Sequence, residues 1–259
     1  MFEKSGIHTH KNPHVFDGPV NLNGVVCGKG GISSPTWRAA PNLALCDPNY
    51  AYGFFDDFLT YTTAHEGWIV QADAGETQDI TDAAGGVISI ACDGDDNDEA
   101  YIYRMAETYK ISGAKKIYFE ARIKFTEAAT DDANVYVGMT ADDVSAGDLL
   151  GDDGAGPSTD DSICFFKVDG GTVWQTETSV GASQSTNTSV ATRGSGSWVR
   201  LGFIADATGV DFYIDGGKVD TRPTTSLPDT EIRIALGVKA GGAHTETLLV
   251  DWVKACQLR

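Results

Sequence analysis

The chain has 259 residues and carries 19 Lys and Arg against 37 Asp and Glu, a formal net charge of −18. Such a polyanion is repelled by phosphate backbones and anionic headgroups, so neither nucleic acid nor a membrane surface is an expected partner. With 41% hydrophobic and 10% aromatic residues it can close a substantial core, which excludes disorder throughout.

Residues 1–50 read as an arm. GPVNLNGVVCGKGGISSPTW is rich in Gly, Asn and Pro, and its short apolar patches cannot close a core alone. Val20, Leu22, Val25, Val26, Ile32 and Trp37 are unfavourable to leave in water, so the arm is expected to become ordered against another chain. The N-terminal MFEKSGIHTHKNPHVFDGP lacks the apolar stretch of an export signal. His8, His10 and His14 have a spacing that suits a transition metal only if copies of the arm come together.

Residues 51–259 read as one domain of successive strands. In KIYFEARIKF, Ile117, Phe119, Ala121, Ile123 and Phe125 face one way while Tyr118, Glu120, Arg122 and Lys124 face the other, as in a half-buried antiparallel strand. The other strand-like runs are 86–91, 100–104, 134–140, 162–168, 172–177, 198–205, 210–215, 231–238 and 247–255, and none has helical periodicity. Asp169-Gly170-Gly171 and Asp215-Gly216-Gly217 read as hairpin tips. Residues 178–197, nearly uncharged and Ser/Thr-rich, fit either a loop or an edge strand. Many short strands without intervening helices predict an all-β, two-sheet antiparallel sandwich.

The five cysteines, at 27, 46, 92, 164 and 256, have no metal-type spacing; Cys92 and Cys164 sit in apolar runs and read as buried thiols. Asp93, Asp95 and Asn97 mimic the start of a calcium loop, but Asp98 stands where glycine is required and Arg104 where a bidentate Glu is needed. That loop and the acidic run 152–161 are therefore read as solvated charge, and no metal or cofactor is assigned. His65 and His244 have no triad partners nearby in sequence. Trp68, Trp174, Trp198, Trp252 and the pair Tyr50 and Tyr52 are candidates for a sugar-stacking platform, provided they lie on an exposed face.

Three runs, YFEARIKF at 118–125, WVRLGFIADATGVDFYIDGGKV at 198–219 and LLVDWVKACQLR at 248–259, resemble the concanavalin A-like lectin/glucanase superfamily. The middle run is similar to laminin-G-type strand pairs. The resemblance implies a jelly-roll sandwich, here with an extended N-terminal arm. FDDFL at 55–59, GDDNDEAYIYR at 94–104, GGTVWQTETSVG at 170–181 and residues 241–259 also resemble virion proteins of tailed phages.

The superfamily contains glucanases, whose retaining chemistry needs two carboxyls roughly 5–5.5 Å apart, supplied by a Glu-x-Asp-x-Glu strand. By order that strand is SICFFKV, where Ser162, Cys164 and Phe166 share one face. Glu120 and Glu127 read as solvated surface carboxylates, so no catalytic residue and no enzymatic activity is expected. The resemblance implies a capsid decoration protein on the virion exterior, assembled in the bacterial cytoplasm. The arm would bind the major capsid protein or sister subunits in a homo-oligomer, a trimer at first guess. The alternative is a carbohydrate-binding adhesin or tail-associated receptor-binding module with a host-surface glycan as partner.

Overall fold

Period-two alternation lets each strand bury one row of side chains, and the chain uses it to face two antiparallel sheets across a common core. The computed structural model describes residues 34–40, 47–62, 67–192 and 194–259. A five-residue helix α1 (Pro35–Ala39) precedes the strands. These are β1 (Ala51–Asp56), β2 (Trp68–Ala72), β3 (Thr77–Ile80), β4 (Ile88–Ala91), β5 (Glu99–Arg104), β6 (Ile117–Thr126), β7 (Ala133–Thr140) and β8 (Ser162–Lys167). They continue as β9 (Val173–Val180), β10 (Ser183–Thr192), β11 (Val199–Asp206), β12 (Gly209–Ile214), β13 (Gly217–Arg222), β14 (Arg233–Ala240) and β15 (Thr247–Leu258).

The first sheet runs β13-β12-β11-β6-β15-β4-β3. On the flank of β15 away from β6, β4 pairs with 247–250 and β1 with 253–258. The second sheet runs β10-β9-β8-β7-β14-β5-β2. The predicted all-β jelly-roll sandwich is what forms. Inward-facing rings lock it: Phe119 stacks on Phe203 at 4.9 Å, and Phe165 of the second sheet meets Phe212 of the first edge-on at 5.1 Å. Asp215 and Gly216 have φ of 48° and 85°, the left-handed pair that a two-residue hairpin between β12 and β13 requires.

Several expectations change. The undecided stretch 178–197 supplies the end of β9 and the edge strand β10, whose hydroxyls and amides largely face water. β1, β2, β3 and β13 were not legible in the alternation. Tyr118 and Glu120, on the polar row of β6, are 2% and 1% exposed because α1 lies over them. The compact unit accordingly comprises Ser33–Arg259, which counts α1 with the body.

The outer face of the second sheet is covered as well. Val144, Leu149 and Leu150, from the segment joining β7 to β8, pack on Tyr101, Tyr103, Tyr136, Cys164, Phe166 and Ala235. Gly237 makes room for this layer, since a Cβ there would stand 1.9 Å from Tyr101 Cδ1. Lys239, 1% exposed, holds the segment down through Asp148 at 2.9 Å and Asp152 at 2.5 Å, with Glu99 of β5 at 3.6 Å.

Candidate functional site

On the outer face of the first sheet, beyond α1, Arg122, Lys124, Trp198 and Trp252 are partly exposed. There β15 carries a bulge: Val250 pairs with Ile123 and Trp252 with the next residue, Arg122, leaving Asp251 as the extra residue. A bulge re-aims side chains, and here it lets Asp251 pair with the Arg122 guanidinium beside Trp252. Arg122 also lies 4.5 Å from the centre of the Trp198 ring, and the Lys124 ammonium lies 5.3 Å from it. Two half-buried indoles, Trp198 before β11 and Trp252 on β15, thus flank one arginine–carboxylate pair.

Further along β15, a cleft of about 550 Å³ is lined by Tyr52, Phe54, Phe55, Lys254 and Arg259. Phe55 is 57% exposed. Tyr52 stacks on Tyr109 at 5.8 Å and donates its hydroxyl to the Thr108 carbonyl at 2.7 Å. Tyr52 and Phe54 belong to the inward row of β1 and pack on the core, so the exposed ring of the cleft is Phe55, opposite Lys254.

Between bulge and cleft lies Glu120. Ser34 Oγ donates to one carboxylate oxygen at 2.7 Å and Trp37 Nε1 to the other at 2.8 Å. Burial pushes the Glu120 carboxyl above its ordinary range, against the pull of those bonds and of Arg200 and Lys254. Glu127, the second carboxylate expected in solvent, is instead ion-paired with buried Lys167 at 2.7 Å, its side chain 8% exposed. Lys167 falls on the inward row of β8 and needs a counter-charge there.

The six-residue platform proposed from sequence separates into three environments. Trp68 and Trp174 are core residues, 0% and 1% exposed. Trp198 and Trp252 share the outer face of the first sheet, and Tyr50 and Tyr52 lie at or near the cleft. Of the arm residues, Trp37 is spent on its own body; its indole touches Glu120, and Lys254 lies 4.5 Å over its ring. Val20, Leu22, Val25, Val26 and Ile32 lie outside the described residues, as do His8, His10, His14 and His65. His244 sits in a surface bend, its Nδ1 2.9 Å from Asp132. Cys92, Cys164 and Cys256 are buried.

No protein-family model matches the chain, and no curated protein does. Solved structures do. An endo-β-1,4-glucuronan lyase from the fungus Trichoderma reesei superimposes with a TM-score of 0.57 at 13% identity, over 78% of this chain and 94% of its own. An endo-1,3-β-glucanase from Streptomyces sioyaensis gives 0.54 at 12%, over 80% and 96%. The carbohydrate recognition domain of Emp46p, in metal-free form, gives 0.54 at 9%, over 79% and 95%.

The fold is the lectin and glucanase jelly roll. At these identities the likeness is one of architecture, and it does not extend to the phage resemblance. It does correct the expectation that the chain is no enzyme, because a lyase and a glucanase share the architecture. Ser162, Cys164 and Phe166, standing where an acid triplet was sought, lie under the covering segment on the outer face of the second sheet. Their identity is thus no ground for excluding catalysis elsewhere on this fold.

Proposed function

We propose that the protein binds carbohydrate on the outer face of the first sheet. The observation that carries this is the pair of half-buried indoles, Trp198 and Trp252, set on either side of the Arg122–Asp251 pair. The C–H-rich face of a sugar ring stacks on indole, while its hydroxyls take hydrogen bonds from guanidinium and give them to carboxylate. The architecture shared with lectin domains and polysaccharide-active enzymes supports the reading. Its test is titration against soluble β-glucans, uronans and a glycan array. Saturable binding lost in the double variant Trp198→Ala/Trp252→Ala is expected; absence of saturable binding to every glycan overturns it. Reducing-end release in the same samples reads out whether the bound chain is cut.

A second reading places this module on a virion exterior, attached through residues 1–33 to the major capsid protein or to sister subunits in a small cyclic oligomer. The rooted end of the arm supports it, because Ser34 and Trp37 fix the point from which any tether would act. Deleting residues 1–33 should leave a folded body and abolish particle incorporation; normal occupancy after deletion overturns the tether.

A further inference from the structure

We infer that the glycan taken by the outer face of the first sheet is acidic, a polysaccharide whose sugars carry carboxylates, and that it lies across the strands over Arg200, Arg122 and Trp252. This rests on the carbohydrate reading above and narrows it to one class of ligand.

Strand register sets out the row. Arg200 of β11 stands directly opposite Arg122 of β6, and Arg122 stands opposite Trp252 of β15. All three are partly exposed and point away from the core. Neighbouring strands lie about 4.8 Å apart, a step close to the length of one sugar ring, so successive rings of a chain laid across them meet Arg200, Arg122 and Trp252 in turn. Along β6, α1 closes one side of the row over Glu120, while Lys124 stands on the other side under the Trp198 ring.

Charge is what marks this row. Like charges directly opposite each other on one face of a sheet repel and cost stability. The arginine pair occurs in a chain with 37 acidic and 19 basic residues, where a cation has acids to choose from. Asp251 pairs with Arg122, and Asp215, at the tip of the hairpin between β12 and β13, makes a looser contact 4.0 Å from Arg200 Nε. Glu120 is turned to Ser34 and Trp37. Lys124 faces Leu249 across the strands and the Trp198 ring, not an acid, and Lys254, the next outward residue on β15, lies over the Trp37 ring.

A uronate sugar answers each feature. Its carboxylate takes paired hydrogen bonds from a guanidinium, and a guanidinium has five N–H donors, of which one carboxylate neighbour uses only some. The C–H face of the ring stacks on Trp252 or Trp198. The net charge of −18 repels a polyanion at range, but salt screens exposed charges beyond about 8 Å, so the groups on the row rather than distant acidic loops decide the contact.

The test compares polyglucuronate, polygalacturonate and polymannuronate with the same polymers after carboxyl reduction, which turns each carboxylate into a neutral hydroxymethyl group. By calorimetry on the full chain, at least one uronan should bind roughly tenfold or more tightly than its reduced counterpart, the effect of one lost charge-assisted hydrogen bond. Lys124→Gln and Arg200→Gln should each weaken uronan binding about fivefold or more and change binding of the reduced polymer less than about twofold. Lys218→Gln on β13 should alter neither. Equal affinity for uronan and reduced polymer, or binding of neutral glycans alone, overturns the acidic assignment and leaves the carbohydrate reading standing. Dextran sulfate binding as tightly as any uronan overturns the carboxylate class, and binding of no glycan at all overturns both readings. The comparison of the two polymers on the unsubstituted chain decides the matter even if a variant fails to fold.

Discussion

Trp37 donates its indole N–H to Glu120 at 2.8 Å, so a residue of the leading arm satisfies a carboxylate on the central strand of the body. The polar row of β6 would otherwise present Tyr118 and Glu120 to water. With α1 in place both are buried, and the strand is covered on two faces for half its length.

Trp37→Ala should therefore lower stability by about 2–4 kcal/mol, combining lost indole burial with a carboxylate deprived of one of its donors. Urea denaturation measures it. A truncation ending at residue 33 should have no such effect, while one running through residue 48 should cost at least as much as Trp37→Ala. A Trp37→Ala loss below about 0.5 kcal/mol would show that the arm merely rests on the body.

Lys239 makes a second prediction. Its ammonium is buried between Glu99, whose side chain is 5% exposed, and the more exposed Asp148 and Asp152. Lys239→Ala should destabilise the protein by about 3–5 kcal/mol at pH 7, because Glu99 is left as an uncompensated buried charge. Burial already holds the Glu99 carboxyl above its ordinary range, so the deficit should shrink as the pH falls and Glu99 takes up a proton. Chemical denaturation at pH 7 and pH 5 compares the two; an equal deficit at both would refute the assignment to Glu99.

How far the sequence goes is visible at these two residues. Alternation located β6 and most of β14 and placed Glu120 on an outward row, which is correct; Lys239, on the outward row of β14, lies one residue past the run read from sequence. It could not show that each outward row is covered, because the covering pieces are α1, far too short for a helical period, and the irregular segment after β7. β1 and β3 escaped for a related reason. As short flanking strands they bury little, and little apolar alternation is imposed on them. Of the site, Trp198 and Trp252 were legible as aromatic candidates, but Asp251 needed the bulge.

Glu246 provides a pH test. It has no exposed surface, and its carboxylate accepts the Ala128 amide at 3.2 and 3.3 Å. Burial foremost, then the charges of Glu127 and Asp132, pushes its carboxyl up to about 7 despite the bond from Ala128 and the charge of Lys167. Between its ordinary value of 4.5 and about 7, the folded chain keeps a proton that the unfolded chain has released. Stability from this group is thus full at low pH, declines as pH rises through that window and is level above it. Glu246→Gln does not titrate, so its denaturation midpoint should gain on that of the parent from pH 5 to pH 8; parallel profiles would sink the argument.

The two classes of tryptophan should respond in opposite ways. Trp68 is fully buried, donates to Asp56 at 2.8 Å and is packed by Phe54 and Phe58, so Trp68→Ala should cost about 3–5 kcal/mol and leave little folded protein. Trp252 is half-buried beside Arg122, and Trp252→Ala should cost only about 1–2 kcal/mol because much of the indole already meets water. On the carbohydrate reading, however, that substitution removes a stacking face worth about 1–2 kcal/mol, which is roughly a 5- to 30-fold loss of glycan affinity. Measuring stability and affinity on the same preparations separates the two roles. If Trp252→Ala loses stability like a core residue and leaves affinity untouched, the indole is packing, and the sugar-binding face lies elsewhere.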